Sequence, residues 1–203
     1  INMFFQEWID LVQENEFLAY DVTSISSYSE HMPEVEYGYN RDGEDLAQLN
    51  VGMFFGERSK RPAFYMLYSG SIPDKTHLEF MMNQSKRLGV KNLTFVMDRG
   101  FATKDNVDFM LANGKSFVLC LPAGLKEFPQ IVESASTEIK SSVNWIHEHQ
   151  LFGKMVRQNI YEKDLNIHVF YSLELEQSKR NEMHDRLGRL ERELSELSNK
   201  KAS

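Results

Sequence analysis

Apolar residues recur along this chain with two periods. Phe4, Phe5, Trp8, Leu11 and Val12 follow helical spacing and predict a short amphipathic helix over 2–13. The apolar run 17–25 predicts a first strand. The polar stretch 26–44, with Pro33, Gly38 and Gly43, predicts a long loop that Tyr28, Tyr37 and Tyr39 anchor on the core. Runs 46–55 and 63–69 flank a charged segment and predict an antiparallel hairpin. Asp74 stands where an N-cap would open a helix over 75–88, with Leu78, Met81, Met82 and Leu88 as its buried stripe and Gly89 as its stop. Residues 93–97 predict a strand buried on both faces, ended by Asp98, Arg99 and Gly100. Thr103 is placed to cap a helix over 104–113 whose apolar face is Val107, Met110 and Leu111. Residues 115–121 predict another buried strand, stopped by Pro122. The order strand, hairpin, helix, strand, helix, strand predicts an α/β fold: a mixed sheet with helices on its faces.

The pattern changes after Pro122. Residues 123–150 carry few signals beyond one or two short helices within 131–146. Runs 154–162 and 166–172 predict a second hairpin, turning about Lys163, Asp164 and Leu165. A charged helix follows over 175–200. Met183, Leu187, Leu190, Leu194 and Leu197 repeat in alternating steps of four and three, an a/d seam of about two heptads. That length fits a helical arm better than a coiled coil, with Gly188 its weak point and Glu182–Arg186, Asp185–Arg189 and Glu196–Lys200 as i,i+4 charge pairs. Left uncovered, such a seam is expected to self-associate or fray.

Composition adds bounds. The chain has 203 residues, 41% hydrophobic and 26% charged, enough for one full core or a domain with an appendage. The net charge of −7 argues against a dedicated nucleic-acid-binding module but not against an enzyme acting on nucleic acid. Basic clusters at 58–61 and at Lys86, Arg87 and Lys91 read as solvated charges of a turn and a helix end. The single Cys120 lies in the apolar run 117–121; it is expected to fill core, permits no internal disulfide and agrees with a reducing cytoplasm. No apolar run is long enough to span a bilayer, and no membrane partner is expected. The chain starts at Ile1 and ends in polar residues, so both ends read as cuts from something longer.

Candidate chemistry centres on two acids. Asp98 closes a buried strand and is followed by a glycine that permits a sharp turn, a usual place for chemistry in an α/β domain. Asp21 lies within a strand, where an unpaired charge is costly. Two carboxylates on core strands suit a shared hard cation, Mg²⁺ or Mn²⁺. Spacing alone equally allows structural roles: a hydrogen-bonded strand or turn acid for Asp21, an N-cap or turn acid for Asp98. Other constellations are weaker. His147 and His149 are two apart and do not share a helix face, which disfavours a zinc site. His31, His77, His168 and His184 are scattered and read as surface or packing residues. There is no Gly-rich phosphate loop, and Ser24, Ser26 and Ser27 lack a nucleophile-elbow context.

Four blocks in order carry a resemblance. Tyr20-Asp21-Val22-Thr23-Ser24-Ile25 resembles the first catalytic block of the DDE transposases of bacterial insertion sequences. Gly38-Tyr39-Asn40-Arg41-Asp42, followed by 45–52, resembles their loop into the second strand. Gly70-Ser71-Ile72-Pro73-Asp74 is similar to the family's Gly-Asn-Thr-Pro-Asp turn, and 96–101 to its second catalytic block. The resemblance spans 17–122 and thins beyond it. It implies an RNase H-like five-stranded mixed sheet flanked by helices over 17–122, preceded by the helix within 1–16 and followed over 123–203 by a partial insertion with a hairpin and a long helix. It implies that Asp21 and Asp98 are catalytic metal ligands on adjacent strands, Asp21 bridging two Mg²⁺ (or Mn²⁺) ions and Asp98 binding one. It also implies DNA as partner, both transposon ends and target, and a homodimer in the intact enzyme. Arg99 would contact a phosphate or form a salt bridge.

The family's third acid, a Glu on a late helix within a Tyr-x-x-Arg-x-x-x-Glu-x-x-x-x-x-x-Lys pattern, has no counterpart here; Glu174, Glu176, Glu182, Glu191, Glu193 and Glu196 all lack it. The chain is therefore expected to stop inside the insertion and to show little or no activity alone. The function implied is metal-dependent DNA cleavage and strand transfer. The alternatives are a plain metal-dependent nuclease and a non-catalytic remnant that dimerises or binds DNA.

Overall fold

A computed structural model of the chain describes residues 2–12, 17–29, 31–39, 43, 45–87 and 94–202. It divides into two units, Ile1–Leu125 and Lys126–Ser203. The first holds α1 (Asn2–Val12), β1 (Phe17–Ser26), β2 (Gln48–Gly56), β3 (Arg61–Ser69), α2 (Asp74–Arg87), β4 (Thr94–Met97), a 3-10 turn (Arg99–Phe101), α3 (Lys104–Ala112) and β5 (Ser116–Leu119). Its sheet runs in the order β3-β2-β1-β4-β5. The meander β1, β2, β3 is antiparallel, and β4 and β5 join parallel to β1. Two short parallel strands, each reached through a helix, complete an RNase H-like mixed sheet flanked by helices.

Alternation sets the core. Along β1, Leu18, Tyr20 and Val22 are buried, and Phe54 of β2 and Phe95 of β4 meet them. Tyr20 lies 4.9 Å from Phe54 between ring centres, and Phe54 lies 5.6 Å from Phe95. Leu78, Met81 and Met82 of α2 and Val107 and Met110 of α3 are fully buried, as their helical spacing predicts. Thr103 does cap α3, its side chain accepting from the Asn106 N–H at 3.3 Å. α1 packs on β3, with Phe5 edge-on to Phe64 and the Trp8 indole donating to the Pro62 carbonyl at 2.7 Å. Leu88 and Gly89 lie outside the described residues, and α2 begins at Asp74 itself.

Three expectations for this unit are corrected. β5 is not buried: it is a four-residue edge strand with Val118 53% exposed, because only β4 pairs with it. Cys120 just beyond it is exposed rather than core. Tyr28, Tyr37 and Tyr39 are exposed, and their rings do not anchor the loop. Backbone pairing does so instead, through reciprocal Glu36–Gln48 hydrogen bonds at 3.0 Å.

The second unit holds α4 (Phe128–Ser136), a 3-10 turn (Ser142–Asn144), β6 (Trp145–Ile146), β7 (Leu151–Ile160), β8 (Lys163–Tyr171) and α5 (Leu173–Ala202). The predicted hairpin forms, but it turns at Tyr161 and Glu162 and not about Asp164. Both turn residues adopt positive φ, 55° and 64°, a left-handed pair that glycine or asparagine would have advertised. A small core gathers Ile131, Ala135, Ile139, Ile160 and Ile167. On α5, Glu182 pairs with Lys179 at 2.7 Å rather than with Arg186, and Glu176 pairs with Arg180 at 2.7 Å. No helix among the described residues is long and apolar enough to cross a membrane.

Candidate active site

The last registered pair between β1 and β4 is Tyr20 with Met97. One step further along each strand come Asp21 and Asp98. Tyr20 points into the core, so its neighbour Asp21 points away from it; Asp21 is exposed, which removes the cost of a buried charge. Asp98 is exposed too, at the point where β4 gives way to the 3-10 turn. Both aspartates line one cavity of about 650 Å³. The sequence thus delivers two carboxylates to one place from positions 77 residues apart, through parallel pairing of the strands that carry them.

Each carboxylate is braced by its own backbone. Asp21 Oδ1 accepts from the Val22 N–H at 2.8 Å, and Asp98 Oδ1 accepts from the Gly100 N–H at 2.8 Å. The structural N-cap role foreseen for Asp98 is therefore real. A Cβ at position 100 would stand 3.0 Å from Asp98 Oδ1, so glycine there keeps the turn tight against the acid. Neither carboxylate has an ion-pair partner among the described residues, and the second oxygen of each has no hydrogen-bond partner there. Beneath them, the Phe101 ring lies 5.0 Å from Tyr20, so an aromatic contact ties the segment after Asp98 to the residue before Asp21.

The remaining wall comes from two segments without acids. Tyr39, Asn50 and the turn Gly70, Ser71, Ile72 and Pro73 line the cavity with Val22, Gly100 and Phe101. Asn50 is buried and secures the turn: its Nδ2 donates to the Ser69 and Ile72 carbonyls, both at 3.4 Å, and its Oδ1 accepts from Ser24 at 3.0 Å. The Glu36 carboxylate accepts from the Ser69 and Ser71 hydroxyls, and these hydrogen bonds hold its pKa below the usual carboxylate range. The 36–39 loop lies so close to the turn that a Cβ on Gly38 would sit 1.8 Å from the Gly70 carbonyl oxygen. Sequence reasoning gave Asn50 and Glu36 no role. Asn40, Arg41 and Asp42 lie outside the described residues.

Carboxylates at two adjacent strand ends, without ion-pair partners among the described residues and lining one cavity, form a donor set that fits a hard divalent cation. Among the described residues, no group of three or more His, Cys, Asp or Glu converges as a metal site, so the pair is not joined there by a third acid. His147 and His149 sit in an exposed turn. His77 is buried and stacked on Tyr68 at 3.7 Å, a packing residue as expected. Arg99 is exposed and makes no ion pair among the described residues.

The model of one family, described as transposase DDE domain, matches residues 13–189. No curated protein gives a significant match. Among solved structures, the chain is similar to a piggyBac transposase synaptic complex with hairpin DNA, at 12% identity and a TM-score of 0.42, over 76% of this chain and 32% of that one. It is similar to a Mos1 transposase paired-end complex with left transposon end at 8% identity and a TM-score of 0.37, over 66% of this chain and 46% of that one. A Ciona intestinalis endonuclease V in complex with a 24-mer DNA containing an inosine followed by a ribo-adenosine matches at 11% identity and a TM-score of 0.35, covering 80% and 71%. The chain thus spans about a third to a half of these two transposases.

Proposed function

The chain belongs to the transposase DDE domain family, and from that membership we propose that its first unit is the catalytic core of a DNA transposase, with Asp21 and Asp98 as the acids that hold the metal. One observation supports this most. Every residue lining the cavity comes from one of four separate sequence blocks, 20–25, 38–52, 70–74 and 96–101, and both acids face it. A packing accident would not draw the linings of one cavity from those blocks alone.

In this reading Asp21 and Asp98 hold Mg²⁺ or Mn²⁺, which when bound activates an attacking oxygen and stabilises a leaving one in phosphodiester chemistry. The chain's own residues prepare the place. The Val22 and Gly100 N–H groups fix one oxygen of each carboxylate and leave the other without a hydrogen-bond partner among the described residues. Asn50 and the Glu36–serine contacts hold the 70–73 turn as the facing wall, where backbone and Ser71 groups meet a DNA strand. In the same reading Arg99, exposed and next in sequence to Asp98, contacts a phosphate. The second unit, following β5, is the insertion of this transposase group.

The test is Mn²⁺ titration followed by line broadening of backbone amides. Without DNA, binding is loose, because two carboxylates leave most of the coordination shell to water. Broadening centres on Val22 and Gly100, sharpens in its concentration dependence when a short DNA duplex adds phosphate oxygens, and disappears in Asp21→Asn and in Asp98→Asn. Tight binding that survives both substitutions would place the metal elsewhere and overturn the assignment. In the whole protein, either substitution abolishes DNA strand cleavage.

A further inference from the structure

Between residues 177 and 197 every residue of α5 is exposed except Gly188. Met183, Leu187, Leu190, Leu194 and Leu197 form one stripe along it and are 45–66% exposed. An isolated helix with such a stripe gains little from propensity alone, and the stripe is what a partner would cover. We propose that this chain pairs with a second copy of itself through α5, the two helices running antiparallel.

The direction follows from the charges that flank the stripe. In heptad terms Leu187 and Leu194 occupy a positions and Met183, Leu190 and Leu197 occupy d positions. Setting Leu187 against the partner's Leu190 in antiparallel sense also sets Met183 against the partner's Leu194. With the symmetry-related pairs this makes four consecutive apolar layers. The same alignment brings Arg186, on one flank, beside the partner's Glu193. On the other flank it brings His184 beside the partner's Glu191. Each contact occurs twice, because a two-fold pairing is self-complementary. All four residues are exposed on α5. A parallel pairing matches them less well: Arg186 meets the partner's Glu191, but Glu193 meets the partner's Ser198 and Lys179 meets the partner's His184. Gly188 lies next to the antiparallel symmetry axis on the outer side, where nothing stands within 4 Å of a Cβ, so it does not interrupt the seam. The inference is independent of the chemistry assigned to the first unit.

Sedimentation equilibrium of the whole chain tests it, with Arg186→Glu and Glu193→Arg as the variants. Both positions are exposed, and far-ultraviolet circular dichroism checks that α5 persists. The unaltered chain self-associates. Each variant alone associates roughly tenfold more weakly, two flanking attractions having become repulsions. A one-to-one mixture of the two variants recovers the original affinity or exceeds it. The first variant carries an acid at both positions and the second a base at both, so the antiparallel heterodimer sets every acid against a base and restores both flanking attractions. A chain that stays monomeric up to its solubility limit overturns the proposal. So do variants that associate like the original chain, or a mixture no tighter than its components.

Discussion

Asn50 secures the cavity wall without carrying charge or touching the two acids. Its amide links β1, the end of β3 and the turn after it. Asn50→Ala leaves the Ser69 and Ile72 carbonyls without that donor, and its cost is about 1–3 kcal/mol, read as a lowered urea midpoint at unchanged slope. Mn²⁺ broadening at Val22 and Gly100 weakens as well, because the facing wall loosens. Glu36 gives the wall a pH dependence. Its folded pKa is lowered by the Ser69 and Ser71 hydroxyls, so the stabilisation is present above the unfolded value of roughly 4.3 and is lost as pH falls through the folded one. The Gly70 N–H, which donates to the Glu34 carbonyl, reports this: its chemical shift moves in an acid transition that is absent in Glu36→Gln. These roles were hidden in the sequence for a physical reason. Asp98 announces itself through the Gly100 beside it. Asn50 and Glu36 act on groups 19 to 35 residues away, and no local pattern encodes such a partner.

Elements came out of the sequence where an apolar period and a punctuating residue coincide. α3 is an example, with Thr103 at its start and Val107 and Met110 on its buried face. They came out wrongly where hydrophobicity was taken for burial. The run 116–119 is apolar, yet β5 has a neighbour on one side only, and edge position overrides composition. Hydrogen exchange separates the two cases: the amides of β2, β1 and β4, each paired on both sides, exchange slowest, and alternate amides of β5 exchange fast. Turn chemistry misled in the second hairpin because two side-chain-bearing residues adopt positive φ there. The first hairpin shows the same strain at Lys60, with φ 54°. Lys60→Gly relieves a left-handed L-residue and gives up an exposed Lys60–Glu57 ion pair of little worth. The net effect is stabilisation by about 0.5 kcal/mol, read from the urea midpoint.

At the scale of the whole molecule, the two units differ in what they own. The first contains a large core, with Leu18, Tyr20, Phe54, Leu78, Met81, Phe95 and Met110 nearly inaccessible to water. It also contains every residue that lines the cavity. The second has only four isoleucines and an alanine buried at its centre among the described residues, and a helix whose apolar stripe faces solvent. A core of that size leaves little margin over the entropy of ordering a chain of under about 80 residues. Two consequences follow for a chain ended after Leu125. Its cooperative urea transition persists, because the interior that drives it is intact. Its Mn²⁺ response at Val22 and Gly100 also persists, because both aspartates and their bracing N–H groups lie within it. If the shortened chain folds but loses the metal response, a group from the second unit must complete the coordination, and the assignment of the pair as a self-sufficient binding element fails. If it keeps both, the first unit binds the metal without the second.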